Sequence, residues 1–310
     1  MEMREVFVEK LAEAMERDDK IVVIDADLAK STKTWGLRKT FPDRALDVGI
    51  AEQNMASIAA GLSAYGFNPF ITSFAPFVTR RILDQVAISC LYSKQNVKIV
   101  GTDPGICAEI NGGTHMGMED IGSLRSLPDI LIYEPVDEVQ LMQAMPFIID
   151  YKGSMYIRLF RKVIDKVFDE NSYKFDMYKA DVLKEGKDIT IVSSGIMVHE
   201  TVKALPLLKE AGIDAEVISV HTIKPIDGDT IAKSAKKTGL VLTCENHQII
   251  GGLHSAVCEV LADKCPTKAG AIGVPDVFGE VGKLPYLKEI YKMRDVDIVE
   301  KCKQLIKENK

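Results

Sequence analysis

The sequence predicts an α/β protein with two consecutive three-layer domains, each built on a mostly parallel β-sheet between layers of helices. First, short apolar, β-rich segments alternate with segments of helical period throughout the chain. Second, these short segments are apolar at every position, which is typical of parallel strands covered on both faces. Third, the length of 310 residues suits two domains of about 150 residues each.

The first predicted domain covers residues 1–160. Its strands are predicted from five apolar segments, at 21–25, 69–74, 97–103, 130–135 and 155–159. After Leu159 this alternation stops, and residues 161–187 are polar and charged without a sustained period. We therefore expect a linker over 161–187, containing at most a short hairpin.

The second predicted domain covers residues 188–310, where the alternation resumes. Strands are predicted at 188–195, 214–220, 239–245 and 269–274. Between the first two lies a helix over 197–212, since Val198, Val202, Leu205 and Leu208 recur at helical spacing. Gly212 is expected to end that helix.

Composition narrows the possible functions. Lys and Arg number 39 against 45 Asp and Glu, for a net charge of −6, and no long basic run occurs. This argues against a nucleic-acid-binding surface or a polybasic membrane contact. No signal-peptide block and no run of 18 apolar residues is present, and the 6 cysteines are scattered without CxxC pairs. We therefore expect a cytoplasmic protein with reduced thiols and no membrane partner.

The most unusual segment is DVGIAEQNMASIAAGLSAYG, from Asp47 to Gly66. A short strand is expected to end at Gly49, and a helix rich in Ala and Gly to begin near Ile50. Glu52 then falls in the first turn, where the helix dipole favours a carboxylate. From the residues alone, the ordinary explanation is a glutamate that helps the helix to start.

Several other polar or aromatic side chains follow predicted strands, where ligands bind in parallel sheets. His115 lies in a Gly-rich loop after strand 97–103, and Asp27 and Ser31 follow strand 21–25. Phe74 and Phe77 are placed where strand 69–74 is expected to become a helix, and either stack on a flat ligand or belong to the core. One turn later comes Arg80, which either reaches an anionic substrate group or caps a surface. No metal-binding pattern such as HExxH or paired CxxC occurs, so no metal ligands are predicted.

Seven motifs in order resemble the pyrimidine-binding and C-terminal domains of transketolases and related thiamine diphosphate enzymes. The first domain carries DADL with Ser31 (25–31), GIAEQNM (49–55), TSFAPF (72–77) and GTH (113–115). The second carries PID (225–227), ENHQIIGGLHSAVCEVLA (245–262) and FGEVGK (278–283). The resemblance covers nearly the whole chain, so it implies the fold of these two transketolase domains.

The resemblance also implies roles for individual residues. In this family a carboxyl group is hydrogen-bonded to the cofactor's pyrimidine nitrogen and shifts that ring to the imino tautomer. The imino group then takes the proton from C2 of the thiazolium ring. Such a carboxyl must be partly desolvated. Glu52 matches it and is implied as catalytic and cofactor-binding, with Phe77, Phe74 and Asp27 as further cofactor contacts. His115 is implied as a catalytic and substrate-binding residue, able to move protons near neutral pH.

The chain lacks the GDG motif with which the family holds diphosphate and Mg²⁺. It therefore resembles the second half of a transketolase made as a separate polypeptide. This implies a partner subunit with the diphosphate domain, which holds Mg²⁺ against the diphosphate charge. We expect an α₂β₂ assembly in which this chain also dimerises with itself.

The substrate end departs from the family pattern. Asp103 stands where the family usually has His, Asn111 where it has Asp, and Met116 where it has Gln. Glu134 replaces a common arginine, placing a negative charge where a phosphate docks in the family, whereas Arg4 matches a family arginine. Substrate contacts are implied for His115, Ser31, Arg4, Arg80, Asn111 and Asp103. The implied reaction is transfer of a two-carbon ketol unit from a ketose to an aldose, with the identity of the sugars, phosphorylated or otherwise, left open.

Three alternatives remain at this stage. The same two domains occur in the β subunit of 2-oxo-acid dehydrogenases and in a deoxyxylulose-phosphate-synthase-like half. GIAEQNM together with GTH favours a transketolase over both. A silent scaffold subunit is the alternative outside enzymes, and it predicts loss of the carboxyl that Glu52 retains.

Overall fold

The computed structural model describes residues 1–309 and contains two β-sheets flanked by helices. The first sheet has seven strands, in the spatial order β10-β5-β6-β4-β3-β1-β2. Six of them come from the first half of the chain: β1 (Ile21–Asp25), β2 (Ala45–Asp47), β3 (Asn68–Phe74), β4 (Lys98–Thr102), β5 (Leu131–Tyr133) and β6 (Met155–Leu159). These six run parallel to one another.

The helices of this half begin with α1 (Met3–Arg17), α2 (Ala29–Thr32), α3 (Trp35–Thr40), α4 (Glu52–Ala64) and α5 (Leu83–Gln85), and continue with α6 (Asp120–Arg125) and α7 (Glu138–Asp150). Tighter 3-10 turns cover Arg80–Ile82 and Gly105–Asn111, and π-helical turns cover Val86–Tyr92. Helix α5 therefore lies between the first 3-10 turn and the π-helical turns, in one continuous helical segment that connects β3 to β4.

The second sheet has five strands in the order β12-β11-β8-β9-β7. Its strands are β7 (Asp181–Lys184), β8 (Ile189–Ser193), β9 (Ala215–Ser219), β11 (Leu240–Gln248) and β12 (Lys268–Val274). Its helices are α8 (Ile196–Glu210), α9 (Gly228–Thr238), α10 (Leu253–Lys264), α11 (Leu284–Ile290) and α12 (Asp295–Glu308). Helix α8 covers the predicted helical segment, and Gly212 follows it with a φ of +73°.

Two short edge strands pair in ways that the sequence did not predict, and one of them links the two halves. Strand β10 (Thr222–Lys224) lies in the second half of the chain but pairs antiparallel with β5, at the edge of the first sheet. Strand β7, inside the predicted linker, pairs antiparallel with β9 in the second sheet. Both are three or four residues long, and such short edge strands carry too little periodicity to be recognised. The domain limits at 160 and 188 therefore stay a prediction.

Both faces of the first sheet are covered. Along β1, Ile21 and Val23 pack in an apolar cluster with α1 and α7, whereas Val22 and Ile24 pack in another with α4. The second cluster continues into α9 and α10 of the other half, so the two halves share a core. This explains the uniformly apolar strands.

The strand order also locates a crevice. From β1 the chain passes to β2 on one side, and then returns through α4 to β3 on the other side of β1. Such a reversal opens a crevice at the carboxyl ends of the strands, where ligands bind in parallel sheets. Within residues 1–309, none of the helices combines the length and apolar character needed to cross a membrane.

Candidate active site

A buried carboxylate organises the loop that follows β1. Asp25 accepts hydrogen bonds from the hydroxyls of Thr72, at 2.7 Å, and Thr32, at 3.1 Å, and from that of Thr34. Burial raises the pKa of this carboxyl, and the three threonine hydroxyls counteract that effect. Asp25 therefore joins the loop after β1 to β3 across the crevice, rather than solvating the end of the strand.

Glu52 lies at the start of α4, where the chain enters the helix after Gly49, whose φ is +72°. Glu52 is 4% exposed, and Met55, Ala56 and Ala59 of the same helix are buried as well. The Arg81 guanidinium donates to Glu52 Oε1 at 2.5 Å. No hydrogen bond within residues 1–309 reaches the other oxygen, Oε2, which leaves it free to accept one from a ligand.

An aromatic cluster adjoins this carboxylate. The rings of Phe74 and Phe77 lie 6.0 Å apart, and His115 packs edge-on against them, at 5.8 Å from Phe74 and 5.3 Å from Phe77. Arg81 lies 3.9 Å over the Phe77 ring, so it connects this cluster to Glu52. The structure thus brings together Glu52, Phe74, Phe77 and His115, four of the predicted site residues.

Phe77 is in a turn, not in a helix as expected, since regular helical turns begin only at Arg80. This changes which arginine faces the cluster. Arg80 is exposed and pairs with Glu119 at 2.8 Å, with a weaker contact to the Thr114 carbonyl. Arg81 contacts Glu52 in its place; the sequence reasoning missed it because it assumed helical spacing after Phe74.

Asp103 forms a second corner of the crevice, directly after β4. It is 1% exposed, and neither carboxylate oxygen has a well-oriented hydrogen bond, although Arg161 Nη1 lies 3.1 Å from Oδ2. Burial raises its pKa to about 7, with Glu109 contributing in the same direction. The charges of Arg161, Arg4 and Lys162 oppose this rise. Three cations therefore surround one incompletely satisfied acid.

Arg4 and Ser31 belong to the same corner. The Arg4 guanidinium donates to the Ser31 carbonyl, and its Nε donates to Glu2 at 2.7 Å. Arg161 was assigned to a linker by the sequence reasoning, yet it follows the carboxyl end of β6. The strand-end rule that was applied to Asp27 and Ser31 would have found it.

Two predicted residues are less closely integrated. Asp27 has a φ of +59° and an exposed side chain, while its backbone N–H donates to Asp47 at 3.0 Å. Asn111 is half-buried at the end of the turns over Gly105–Asn111, and its side chain makes no hydrogen bond within residues 1–309. Both lie on loops at the carboxyl edge of the sheet, and their roles stay predictions.

Glu134 corrects an expectation about charge. The sequence suggested that it places a negative charge where an anionic group docks, but it is 3% exposed and accepts a hydrogen bond from Arg158 at 2.5 Å. Arg158 also binds Asp120, at 2.8 Å, in a fully buried network. The Glu134 charge is therefore paired inside the protein and does not face the crevice.

No group of three or more His, Cys, Asp or Glu side chains is arranged to hold a metal ion in the described part of the chain, residues 1–309. The prediction that this chain supplies no metal ligands is not tested by that finding. The assembled crevice offers the buried carboxylates of Glu52 and Asp103, two phenylalanine rings inclined at 55°, an imidazole and a corner of cations. Such a set suits a flat heteroaromatic ring beside an anionic, hydroxylated substrate.

Comparison with protein families gives two matches in chain order. Residues 1–165 match the pyrimidine-binding domain of transketolase, and residues 178–298 match the transketolase C-terminal domain. The two matches together include every predicted site residue. They agree with the fold and the family resemblance inferred from the motifs.

Individual relatives agree with these matches. The chain is 47% identical to the 6-deoxy-6-sulfo-D-fructose transketolase subunit SqwH of Clostridium sp. (strain MSTE9), over 96% of this chain and 92% of that one. It is 34% identical to one of the apulose-4-phosphate transketolase subunits of Phocaeicola vulgatus (strain ATCC 8482), over 88% and 87%. A solved structure described as a split gene transketolase, inactive beta4 tetramer, superposes with a TM-score of 0.90 at 39% identity, over 99% of both chains.

Proposed function

The chain belongs to the transketolase family, with the pyrimidine-binding and C-terminal domains of that family, and from this premise we propose that it is one subunit of a split transketolase. In this role it supplies the pyrimidine side of a thiamine diphosphate site. Transketolases are thiamine diphosphate-dependent, and the chain spans 92% of the length of a relative itself named a subunit. A second polypeptide is then required for the diphosphate side.

One observation carries the proposal: a buried carboxylate, Glu52, with a free oxygen beside the partly exposed ring of Phe77. These residues fit an aminopyrimidine, since Glu52 Oε2 can bond a ring nitrogen while Phe77 and Phe74 pack against the ring face. Arg81 now covers the Phe77 ring and binds Glu52 Oε1. It would have to move aside for a ring to stack there.

When bound, thiamine diphosphate supplies the nucleophilic carbon and electron sink needed to break and form carbon–carbon bonds next to a carbonyl. Glu52, which is 4% exposed, would share a proton with the pyrimidine nitrogen through a hydrogen bond at Oε2. His115, packed against both phenylalanines, would hydrogen-bond a sugar hydroxyl or carbonyl bound beside the cofactor ring, as imidazoles commonly do in proton transfer. We propose catalytic roles for both residues.

We propose that the partner is an N-terminal-half transketolase subunit that holds the diphosphate and Mg²⁺, in an α₂β₂ assembly in which this chain also pairs with itself. The family resemblance and the subunit names of the relatives support this division. The similar solved protein is described as an inactive tetramer of β chains, which agrees with a requirement for the other subunit. The 6 free cysteines fit a cytoplasmic setting.

We propose that the substrate is a ketose with a terminal anionic group, and that this group binds near Arg4, Arg161 and Ser31. Both relatives are named for sugars with such a group, a sulfonate in one and a phosphate in the other. A sulfonate carries one negative charge, whereas a phosphate monoester approaches two, so the charged form of the adjacent Asp103 repels a phosphate more strongly. The relative that is 47% identical is named for a sulfonated sugar. We therefore propose that a sulfonate is preferred over a phosphate.

The test is Glu52→Gln in the complex of this chain with its co-expressed partner. Loss of the proton-sharing carboxyl should lower kcat by a factor of about 10²–10⁴, while the subunits still co-elute. Glu16→Gln, at an exposed position near the end of α1, is the matched control and should leave kcat unchanged. Unchanged turnover in Glu52→Gln would favour a silent subunit.

A substrate panel then tests the finer claims. The complex should act best on ketoses with a terminal sulfonate, then on phosphates, and least on neutral sugars. If xylulose 5-phosphate with ribose 5-phosphate proved the best pair, the preference for a sulfonate would be wrong. If this chain alone bound thiamine diphosphate tightly and turned over ketose, the split-subunit proposal would fail.

A further inference from the structure

We propose that the C-terminal half of the chain holds the loop over residues 104–118, which carries His115, and that Asn246 is the main positioning residue of this loop. The catalytic consequence rests on the proposed function; the holding of the loop does not. The loop follows β4 and consists of 3-10 turns, a kink and irregular chain up to α6.

The start of the loop is held by the side chain of Asn246, on β11. Asn246 is 1% exposed; its Oδ1 accepts from the Ile106 N–H at 3.0 Å, and its Nδ2 donates to the Pro104 carbonyl at 3.0 Å. The Asn246 side-chain amide thus accepts one hydrogen bond from the loop backbone and donates one to it, as the backbone of a neighbouring β-strand would. Gly105, between these two contacts, leaves room for it, because an added Cβ there would lie 2.4 Å from the Asn246 carbonyl oxygen.

The middle of the loop is held at Glu109. Its backbone has a φ of 50° and a ψ of −119°, which is strained for a residue with a side chain and persists only where neighbours enforce it. Glu109 Oε1 accepts from the backbone N–H of Leu284 at 2.8 Å, and Oε2 accepts from Lys162 at 2.5 Å. The first of these contacts again comes from the C-terminal half.

The tip of the loop packs against residues 277–283, which contain the FGEVGK motif. A Cβ added at Gly113 would lie 2.7 Å from the Gly279 carbonyl oxygen, and one added at Gly279 would lie 2.2 Å from Met116 Sδ. The end of the loop is held by the Gln248 N–H, which donates to the Met118 carbonyl at 2.8 Å. His115 therefore lies between two backbone contacts that the C-terminal half supplies.

Through these contacts the second domain positions His115 for the reaction, although none of its own side chains belongs to the candidate site. The position of His115 against Phe74 and Phe77 depends on contacts at the start, middle, tip and end of its loop. Misplacing a catalytic group by about 1 Å costs about 100-fold in rate. ENHQII and FGEVGK, conspicuous in the sequence but unused by the cofactor site, act through that loop.

The first experiment measures hydrogen exchange in the complete complex and does not depend on the reaction. Asn246→Asp keeps the shape and the acceptor for Ile106 but removes the donor to Pro104. Exchange within residues 104–118 should quicken at least about tenfold, while β8 and β9 stay as protected as before. Equal exchange of the loop in both proteins would overturn the proposal, even if the enzyme proved to have another activity.

The second experiment measures kinetics with Gly113→Ala, whose added methyl group meets the Gly279 backbone; Gly36→Ala, with no atom within 4 Å of the new Cβ, is the control. In Gly113→Ala, kcat/KM for the sugar should fall about 10- to 100-fold while the Kd for thiamine diphosphate stays unchanged. A parallel loss of cofactor affinity, or kinetics equal to Gly36→Ala, would overturn the positioning role. If the unmodified complex turned over no sugar, the proposed function would fail and the exchange result would still stand.

Discussion

Two arginine–carboxylate pairs in this molecule have the same chemistry and different surroundings. At the site, Arg81 makes one contact of 2.5 Å with Glu52, and the arginine side chain is 43% exposed. Within the first half of the chain, Arg158 binds Asp120 at 2.8 Å, and neither side chain is exposed. The comparison separates a pair that a ligand can replace from a pair that the fold requires.

The Arg158 guanidinium donates hydrogen bonds through all three of its nitrogens. The guanidinium donates through Nε and Nη2 to Asp120, through Nη1 to Glu134, and through Nη2 to the Asn246 carbonyl, while the Tyr156 hydroxyl also donates to Asp120. Burial acts to raise the pKa of Asp120, but Arg158 outweighs it and holds that pKa below its ordinary value. Such a network joins β6, α6 and β11 rigidly, whereas Glu52 keeps one oxygen available.

The largest effect is expected for Arg158→Met, which leaves Asp120 and Glu134 buried without their cation. Removing one partner of a buried ion pair costs about 3–5 kcal/mol of stability. We expect the urea concentration at the midpoint of unfolding to fall by a corresponding amount, or the variant to be recovered unfolded. If the free energy of unfolding fell by less than about 1 kcal/mol, the network would contribute no more than a surface ion pair, and it would not differ from the Arg81 pair.

The contrast also separates what the sequence could predict from what it could not. The uniformly apolar strands of the first sheet and the start of α4 at Glu52 follow from local patterns, and the family matches confirm the fold. The pairing of Arg158 with Asp120 and Glu134 joins residues 38 and 24 positions apart, and β10 crosses to the other sheet. Such long-range contacts leave no local period, so Glu134 was misjudged as an exposed charge.

The site itself was predicted in part. The motifs selected Glu52, Phe74, Phe77 and His115, which the fold brings together. Arg81 was missed because a turn replaced the expected helix. Asn246 was missed because its role depends on a backbone 140 residues away, which only the folded structure reveals.

Asp103 tests an intermediate case, buried like Asp120 but with Arg161 as its one ion-pair partner within residues 1–309 and no well-oriented hydrogen bond. Its pKa is about 7 in the folded chain, against an ordinary value near 4 when unfolded, so the folded state binds the extra proton between these values. Stability therefore falls as the pH rises from about 4 to about 7. Asp103→Asn should remove this penalty, which amounts to up to about 4 kcal/mol above pH 7.

The measurement is the Tm of both proteins from pH 5 to pH 8. The advantage of Asp103→Asn over the unmodified chain should grow across this range and level off above pH 7. Glu245, whose pKa burial also raises to about 7, acts in both proteins and cancels in the difference. A difference that is constant with pH would mean that Asp103 titrates as an ordinary surface acid, and its corner would lose its preference for a single negative charge.

The smallest effect is expected for Arg81→Met, the counterpart of Arg158→Met at the site. Because Arg81 is 43% exposed and makes a single ion pair, its loss should change the free energy of unfolding by no more than about 1 kcal/mol, even with its stacking on Phe77. Urea unfolding under the same conditions as for Arg158→Met provides the comparison. A loss as large as that of Arg158→Met would make the Glu52–Arg81 pair a structural element. Glu52 would then be needed for the stability of the fold. Displacing Arg81 from it would destabilise the protein too much for the proposed contact with the cofactor.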